Sequence, residues 1–281
     1  MRFAMYVPNF GTFGLVSTVV ELARAAEEAG WDGFFLWDHL LPDHDSRLGP
    51  VANTWVTLTA MAGATSRLRI GALVTALPRR RPWQLARETV ALDHYSGGRL
   101  VVGAGIGGDW WREYSAVGEA PDVKAHGAML DEGLDIITRL WTGTPVTYQG
   151  THYQLQDAHF LPPPLQKPRI PIWVAGVWPG TRPFRRAARW DGIFPIGRFG
   201  DLKPDDIRDM RAYIDQHRTA TTPFEIVFGG RANDLPAAER GAHVAEYAAA
   251  GVTWWLESVW PDVELSDVQS IIQRGPPRPT G

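Results

Sequence analysis

The chain of 281 residues contains no cysteine, which excludes disulfide scaffolding, thiolate catalysis and cysteine-ligated metal. It also lacks a charge bias. Lysine and arginine number 28 against 31 aspartates and glutamates, a formal charge of −3 with both signs scattered, so no field attracts nucleic acid or an anionic membrane surface. No stretch is apolar for long enough to cross a bilayer, and Met1-Arg2-Phe3 enters a strand-like run without the charged region, apolar core and cleavage site of a secretory leader. A cytoplasmic protein with neither nucleic-acid nor membrane partners is expected. Internal repeats, low-complexity tracts and interdomain linkers are missing as well, which predicts one domain over residues 1–274 and a flexible tail over 275–281.

What the chain does have is a regular alternation of strand-like and helix-like segments. The first strand is read at Arg2 to Pro8, and a helix with Leu15, Val19, Leu22, Ala26 and Ala29 on one face follows and stops at Gly30. Further strands are read at Gly33 to Trp37, Arg69 to Thr75, Arg99 to Gly103, Ile170 to Ala175, Gly192 to Ile196, Phe224 to Phe228 and Val252 to Glu257, each followed by a helical pattern. Eight such pairs predict a single (β/α)8 TIM barrel, since an open doubly wound sheet would leave the end strands unpaired. Thr147 to Gln156 alternates around Gln149-Gly150 and predicts a small hairpin between the fourth and fifth strands.

A parallel barrel gathers its strand ends on one face, where distant residues can share a site. Asn9, Asp38, His39, Thr75, the Gly105 to Asp109 turn, Gly176 to Thr181, Arg198, Gly229 and Glu257 all fall on that face. The second strand ends on Asp38-His39, and an imidazole there can exchange protons near neutral pH, or it can be a hydrogen-bonded structural residue. Thirteen tryptophans, among them Trp37, Trp110, Trp111, Trp178 and Trp254 beside strand ends, serve either wide apolar contacts or a pocket for a flat aromatic ligand.

Gly103-Ala104-Gly105-Ile106-Gly107-Gly108 after the fourth strand lets backbone N–H groups approach an anion, and the same glycines can simply mark a tight turn. They lack the ending of a P-loop and the helix and acidic residue of a nicotinamide fingerprint. The second turn, Gly176 to Thr181, leads into a helix carrying Arg182, Arg185 and Arg186, whose charges at a helix start call for an anion or for solvent. Together the turns form a candidate phosphate cradle. Asp38, His39, Asp43, His44 and Asp45 are crowded enough to raise a metal site, but Pro8-Asn9-Phe10 stands where a barrel hydrolase would carry His-x-His, so no metal is expected.

The ordered set Gly30-Trp31-Asp32-Gly33 through Trp37-Asp38-His39, Pro78-Arg79-Arg80-Arg81-Pro82, Asp93-His94-Tyr95-Ser96-Gly97-Gly98-Arg99-Leu100, Pro171-Ile172-Trp173-Val174-Ala175-Gly176 and Ala187-Ala188-Arg189-Trp190-Asp191-Gly192 resembles the bacterial luciferase-like superfamily. The resemblance implies a barrel that binds coenzyme F-420, a deazaflavin, or alternatively FMN, at the strand C-terminal face. In the deazaflavin branch an Asp-His pair closes the second strand, which makes His39 the implied general acid or base and Asp38 the residue that orients its ring. That branch also implies a non-proline cis peptide against the ring at Ala72 and Leu73, with Val74 and Thr75 as near alternatives. Gly105, Gly107 and Gly108, with Gly176, Pro179, Gly180 and Thr181, correspond to the phosphate-side turns. Arg79 to Arg81 are expected to face an anionic tail. The sugar-phosphate dehydrogenase subgroup has a proton-donating glutamate in the turn after the fourth strand, where this chain has Gly108-Asp109. A lid is expected from Leu40 to Asn53 or Gly108 to Asp122, and a homodimer is allowed. The expected function is hydride transfer between F-420 and a small organic substrate. The alternatives are a reduced-FMN monooxygenase using molecular oxygen and a barrel that binds a chromophore or partner without turnover.

Overall fold

Apolar residues on both faces of its strands make the central sheet of this protein a buried, parallel one, because only a sheet covered on both sides tolerates such runs. The structure, a computed structural model, describes residues 1–41, 49–198 and 200–278. Asp43, His44 and Asp45 of the crowded loop lie outside the described residues, as do residues 279–281 of the tail.

In chain order the elements are β1 (Arg2–Val7), α1 (Val16–Glu28), β2 (Gly33–Leu36), α2 (Thr54–Ala64), β3 (Arg69–Ala72), β4 (Thr75–Ala76), α3 (Pro82–Tyr95) and β5 (Val102–Gly105). They continue with α4 (Val123–Leu140), β6 (Val146–Gln149), β7 (Gln154–Ala158), β8 (Ile172–Trp178), α5 (Thr181–Ala187), β9 (Gly192–Gly197), α6 (Pro204–His217), β10 (Glu225–Gly230), α7 (Ala237–Ala250), β11 (Trp254–Ser258) and α8 (Leu265–Arg274). Nine strands form one sheet in the order β3-β2-β1-β11-β10-β9-β8-β5-β4, and β6 pairs with β7 in a separate antiparallel sheet. Every pairing in the large sheet is parallel.

β3 and β4 are two halves of one barrel strand, interrupted by a cis peptide between Leu73 and Val74. Ile70 N donates to Arg99 O at 3.1 Å and Val101 N to Ile70 O at 2.9 Å, so the third and fourth barrel strands meet and bring the ends of the sheet together. The predicted eightfold barrel is therefore what the chain folds into. The third strand read from sequence as continuous is split at the cis bond, which falls one residue beyond the Ala72 and Leu73 pair where the resemblance implied it.

Side-chain alternation sorts the core into two layers. Ala4, Tyr6, Phe35, Trp173, Trp254 and Leu256 fill the barrel interior, while Phe3, Met5, Val7, Phe34 and Trp255 point outward to the helices. Trp254 thus belongs to the interior packing. Helix α1 buries Val19, Leu22, Ala23 and Ala26 against the sheet and ends before Gly30, whose φ of 84° a side chain would oppose. Leu15, predicted on that buried stripe, sits outside the first turn and is exposed. Among the described residues no helix is long and apolar enough to cross a membrane.

Candidate active site

β2 stops at Leu36 and the next residues rise into the mouth of the barrel, where Asn9 fixes their path. The Asn9 side chain donates from Nδ2 to His39 O and to Ala52 O, both at 2.9 Å, and its Oδ1 accepts from His39 N at 3.1 Å. A buried amide satisfied this fully locks the backbone that carries the imidazole. The His39 ring sits among Phe10, Trp37 and Trp111, the last with its centroid 4.4 Å away at 67°. Aromatic packing on several sides leaves the ring little freedom to rotate.

The partner of that imidazole is Glu113. Its Oε2 lies 3.1 Å from His39 Nδ1, while Oε1 accepts from Arg79 Nη1 at 2.9 Å and from the backbone N–H groups of Leu40 and Leu41. Burial pushes the Glu113 carboxyl up, but the His39 hydrogen bond and charge, the Arg79 guanidinium and the Leu40 N–H outweigh it and hold it at about 2. A group ionised this firmly can only accept a hydrogen bond, so Nδ1 carries the proton. In the neutral form of the ring Nε2 then presents a lone pair, and it has no hydrogen-bond partner among the described residues. A carboxylate behind an imidazole fixes its tautomer and supports the positive charge that develops when Nε2 takes a proton.

Glu113 arrives by way of the long loop after β5. Asp109 Oδ1 accepts from Tyr114 N at 2.8 Å and Ser115 N at 3.1 Å, and the Tyr114 hydroxyl donates back to Ile106 O at 2.7 Å. Tyr114 also stacks on His126 of α4, with centroids 4.1 Å apart. Arg112, with φ of 57°, makes the reversal that returns Glu113 to the end of β2. The sequence alone does not single out Glu113, although it is the one carboxylate between Asp109 and Glu119.

Asp38 has a different role from the one expected. Its carboxylate accepts from Thr75 Oγ1 at 2.9 Å and from Arg80 Nη2 at 3.0 and 3.1 Å, so it ties β2 to β4 and the turn beyond, whereas the ring of His39 is held by Glu113. Arg79 and Arg80, expected to face an anionic tail, are engaged by Glu113, by the Asp38 carbonyl and by the Asp38 carboxylate. Arg79, Arg80 and Arg81 all line a second cavity of about 450 Å³, together with His126 and Tyr153. Glu257, placed on the mouth from sequence, turns outward instead. It accepts from Ala232 N, Asn233 N and Trp255 Nε1, and its burial raises its pKa.

A cavity of about 600 Å³ opens at the mouth between the ends of β1, β2, β9, β10 and β11. His39 contributes to its wall together with Tyr6, Trp37, Trp111, Phe194 and Trp260. The other predicted site residues border the opposite half of the mouth. Ala72 and Leu73 are buried at the strand break, Val74 packs half-buried against the barrel interior beside Ala175, and Thr75 is held by Asp38. Gly105, Gly107 and Gly108 follow β5, and Gly176, Pro179, Gly180 and Thr181 end β8 or begin α5. Since β5 and β8 are hydrogen-bonded neighbours, through Gly103 with Trp173 and Ala104 with Val174, these two turns leave the sheet side by side. Of the arginines beyond them, Arg186 is committed to Asp131 at 2.7 and 2.9 Å.

The sequence model of the family described as luciferase-like monooxygenase matches residues 1–251. An F-420-dependent glucose-6-phosphate dehydrogenase of Microbacterium testaceum is 36% identical over 165 residues, covering 58% of this chain and 48% of that protein. The chain spans about half the length of the curated dehydrogenases of this kind that it matches. The solved structure of an F-420-dependent secondary alcohol dehydrogenase in complex with an F-420-acetone adduct has the same fold, with a TM-score of 0.80 over 98% of both chains at 17% identity. The monooxygenase RslO1 from Streptomyces bottropensis also shares it, with a TM-score of 0.77 over 97% of both chains at 20% identity.

Proposed function

Since this chain belongs to the luciferase-like monooxygenase family, we propose that it is an oxidoreductase that uses coenzyme F-420 to exchange a hydride with a small organic substrate, with His39 handling the accompanying proton. The observation that carries this reading is the imidazole of His39, backed at 3.1 Å by an ionised Glu113 and lining the aromatic cavity at the barrel mouth. The names of the relatives point to the same cofactor, and their activities guide the proposal without fixing the substrate.

The chain fits such a group. A flat tricycle needs an apolar floor, and Val74, Ala175 and Trp37 supply one above the packed barrel interior. The residues proposed to hold it are the segment Ala72, Leu73, Val74 and Thr75, with the turns at Gly105, Gly107 and Gly108 and at Gly176, Pro179, Gly180 and Thr181 for its phosphate. When bound, the deazaflavin supplies a ring carbon that accepts or releases a hydride. His39 Nε2 takes the proton of a substrate hydroxyl in one direction and returns it in the other. Glu113 keeps Nδ1 protonated throughout and stabilises the imidazolium, and Asn9 holds the loop that presents the ring.

Titrating the purified chain separately with F-420 and FMN, followed by tryptophan quenching, tests the reading. Binding of F-420 at least tenfold tighter than FMN is expected. A second reading, a reduced-FMN monooxygenase, draws on the description of the matching family and on the fold shared with RslO1. Preferential FMN binding, with oxygen consumed when a reductase supplies reduced FMN, would establish it and overturn the first.

A further inference from the structure

The cavity that receives the free edge of His39 has walls of one chemical kind. Trp37, Trp110, Trp111, Phe194 and Trp260 line it, Pro195 and Val259 add apolar surface, and Phe228 borders it from β10 while its ring stacks outward on Tyr247. Its polar side chains are few. The Tyr6 hydroxyl is spent on Leu73 O, which leaves His39, Ser258, Asp201 and the indole N–H groups of the tryptophans, that of Trp37 buried without a hydrogen-bond partner among the described residues. Asp201 supplies the carboxylate of the lining, and among the described residues the lining contains no lysine or arginine.

Three arginines near the mouth are otherwise engaged, and Arg198, which follows the lining residue Gly197, is exposed and does not itself line the cavity. Arg231 lies over the Trp260 ring at 5.9 Å and pairs with Asp234 at 3.4 Å, while Arg79 and Arg80 are bound to Glu113 and Asp38. A phosphate ester entering here would meet the negative faces of aromatic rings and a carboxylate, without a guanidinium or ammonium to replace its water. An uncharged body of one or two rings would bury its surface against those same walls, and a volume of about 600 Å³ accommodates it. Asp201 is exposed, so its charge acts from the rim and gives a cation inside the cavity little to offset its desolvation.

We infer that this cavity selects an uncharged alcohol, or its carbonyl partner, carrying a flat apolar body, and that it discriminates against sugar phosphates. The inference rests on the F-420 reading above for the reaction and on the walls alone for the selection. In the oxidative direction the carbinol C–H bond breaks, its electron pair leaves as hydride to the oxidised deazaflavin, and the O–H proton passes to His39 Nε2 as the C=O bond forms. His39 then releases that proton to solvent.

Direct binding tests the selection independently of turnover. Tryptophan fluorescence of the purified chain, with and without F-420, is followed on titration with 1-phenylethanol, with its cationic analogue 2-amino-1-phenylethanol and with glucose 6-phosphate. The expected result is 1-phenylethanol at least about tenfold tighter than either charged probe. Asp201→Lys should leave 1-phenylethanol within twofold, roughly, while tightening glucose 6-phosphate by about fivefold. Glucose 6-phosphate or the cation binding as tightly as 1-phenylethanol overturns the inference. So does 1-phenylethanol failing to bind at ~10 mM, or an Asp201→Lys variant with unchanged phosphate affinity. If the chain fails to bind F-420 while the expected order of probes holds, the cofactor reading falls and the selection stands.

Discussion

Around the half of the barrel mouth formed by β9, β10, β11, β1 and β2, large rings gather at the strand ends: Phe194, Trp260, Tyr6 and Trp37. Around the half formed by β3, β4, β5 and β8, small residues are the more common, Ala72, Ala76, Ala104, Gly105, Ala175 and Gly176, with Val74 and Trp178 as the larger ones. There neighbouring side chains already fill the space a Cβ would need, 2.7 Å from Val74 Cγ2 at Gly105 and 2.8 Å from Ala76 Cβ at Gly107. The first half recognises through side-chain surface, which suits hydrocarbon. The second ends in the turns at Gly107, Gly108 and Gly180, where accessible backbone suits a large polar group with a phosphate. His39 stands where the halves meet, and Glu113 reaches it from the loop that grows out of the small-residue half.

If that division of labour is right, breaking the junction should have the largest effect. His39→Ala is expected to cut turnover by at least about a hundredfold, while F-420 affinity measured by fluorescence stays within a few-fold. Equal losses in both would make His39 part of the cofactor site instead. Glu113→Gln comes next. It leaves Arg79 without its anion, which should cost about 3 kcal/mol of folding free energy by denaturant titration and slow turnover about tenfold or more.

The same substitution sharpens the pH behaviour. The Glu113 carboxyl is depressed in the folded chain to about 2 from an ordinary 4.5, so its contribution is complete above the unfolded value. It fades as pH falls through that window and is gone once the folded carboxyl is protonated. Acid unfolding of the unmodified chain should therefore steepen between about 4.5 and 2, and Glu113→Gln should flatten that limb.

The small-residue half is tested more gently by Gly107→Ala. Its φ of 70° and the Ala76 contact predict a loss of about 1–2 kcal/mol in a thermal melt. A weakened F-420 titration with unchanged 1-phenylethanol binding is the accompanying expectation, and the reverse pattern would exchange the roles of the halves. The smallest effect on chemistry is expected from Asp38→Asn. Its carboxylate serves Thr75 and Arg80, so turnover should stay within about fivefold and the pH profile should keep its shape. A shifted profile would return Asp38 to the imidazole.

Much of the scaffold was readable because barrel strands announce themselves as short apolar runs closed by glycine, aspartate or proline. Gly33 to Trp37 and Gly192 to Ile196 fall within a residue or two of β2 and β9. Arg99 to Gly103 was set too early, since β5 begins at Val102 after a single bridge at Leu100. His39 was legible for the same reason as its strand. Glu113 was not, because its position depends on how a loop coils around Asp109 and Tyr114, and no periodicity encodes that path. Asp38 was misread for a complementary reason. Neighbours along an extended segment point to opposite sides, so adjacency in sequence argued against, not for, a shared contact. The cavity walls come from five separated strands, and only closure of the barrel brings them together.

The most direct test is the protonation of the His39 ring itself. Nitrogen NMR of histidine-labelled protein under mildly alkaline conditions, which favour neutral imidazole, should show His39 with a protonated Nδ1 and a bare Nε2. In Glu113→Gln that preference should weaken or invert. A proton on Nε2 in the unmodified chain, or a tautomer indifferent to Glu113, would contradict the role given to this pair.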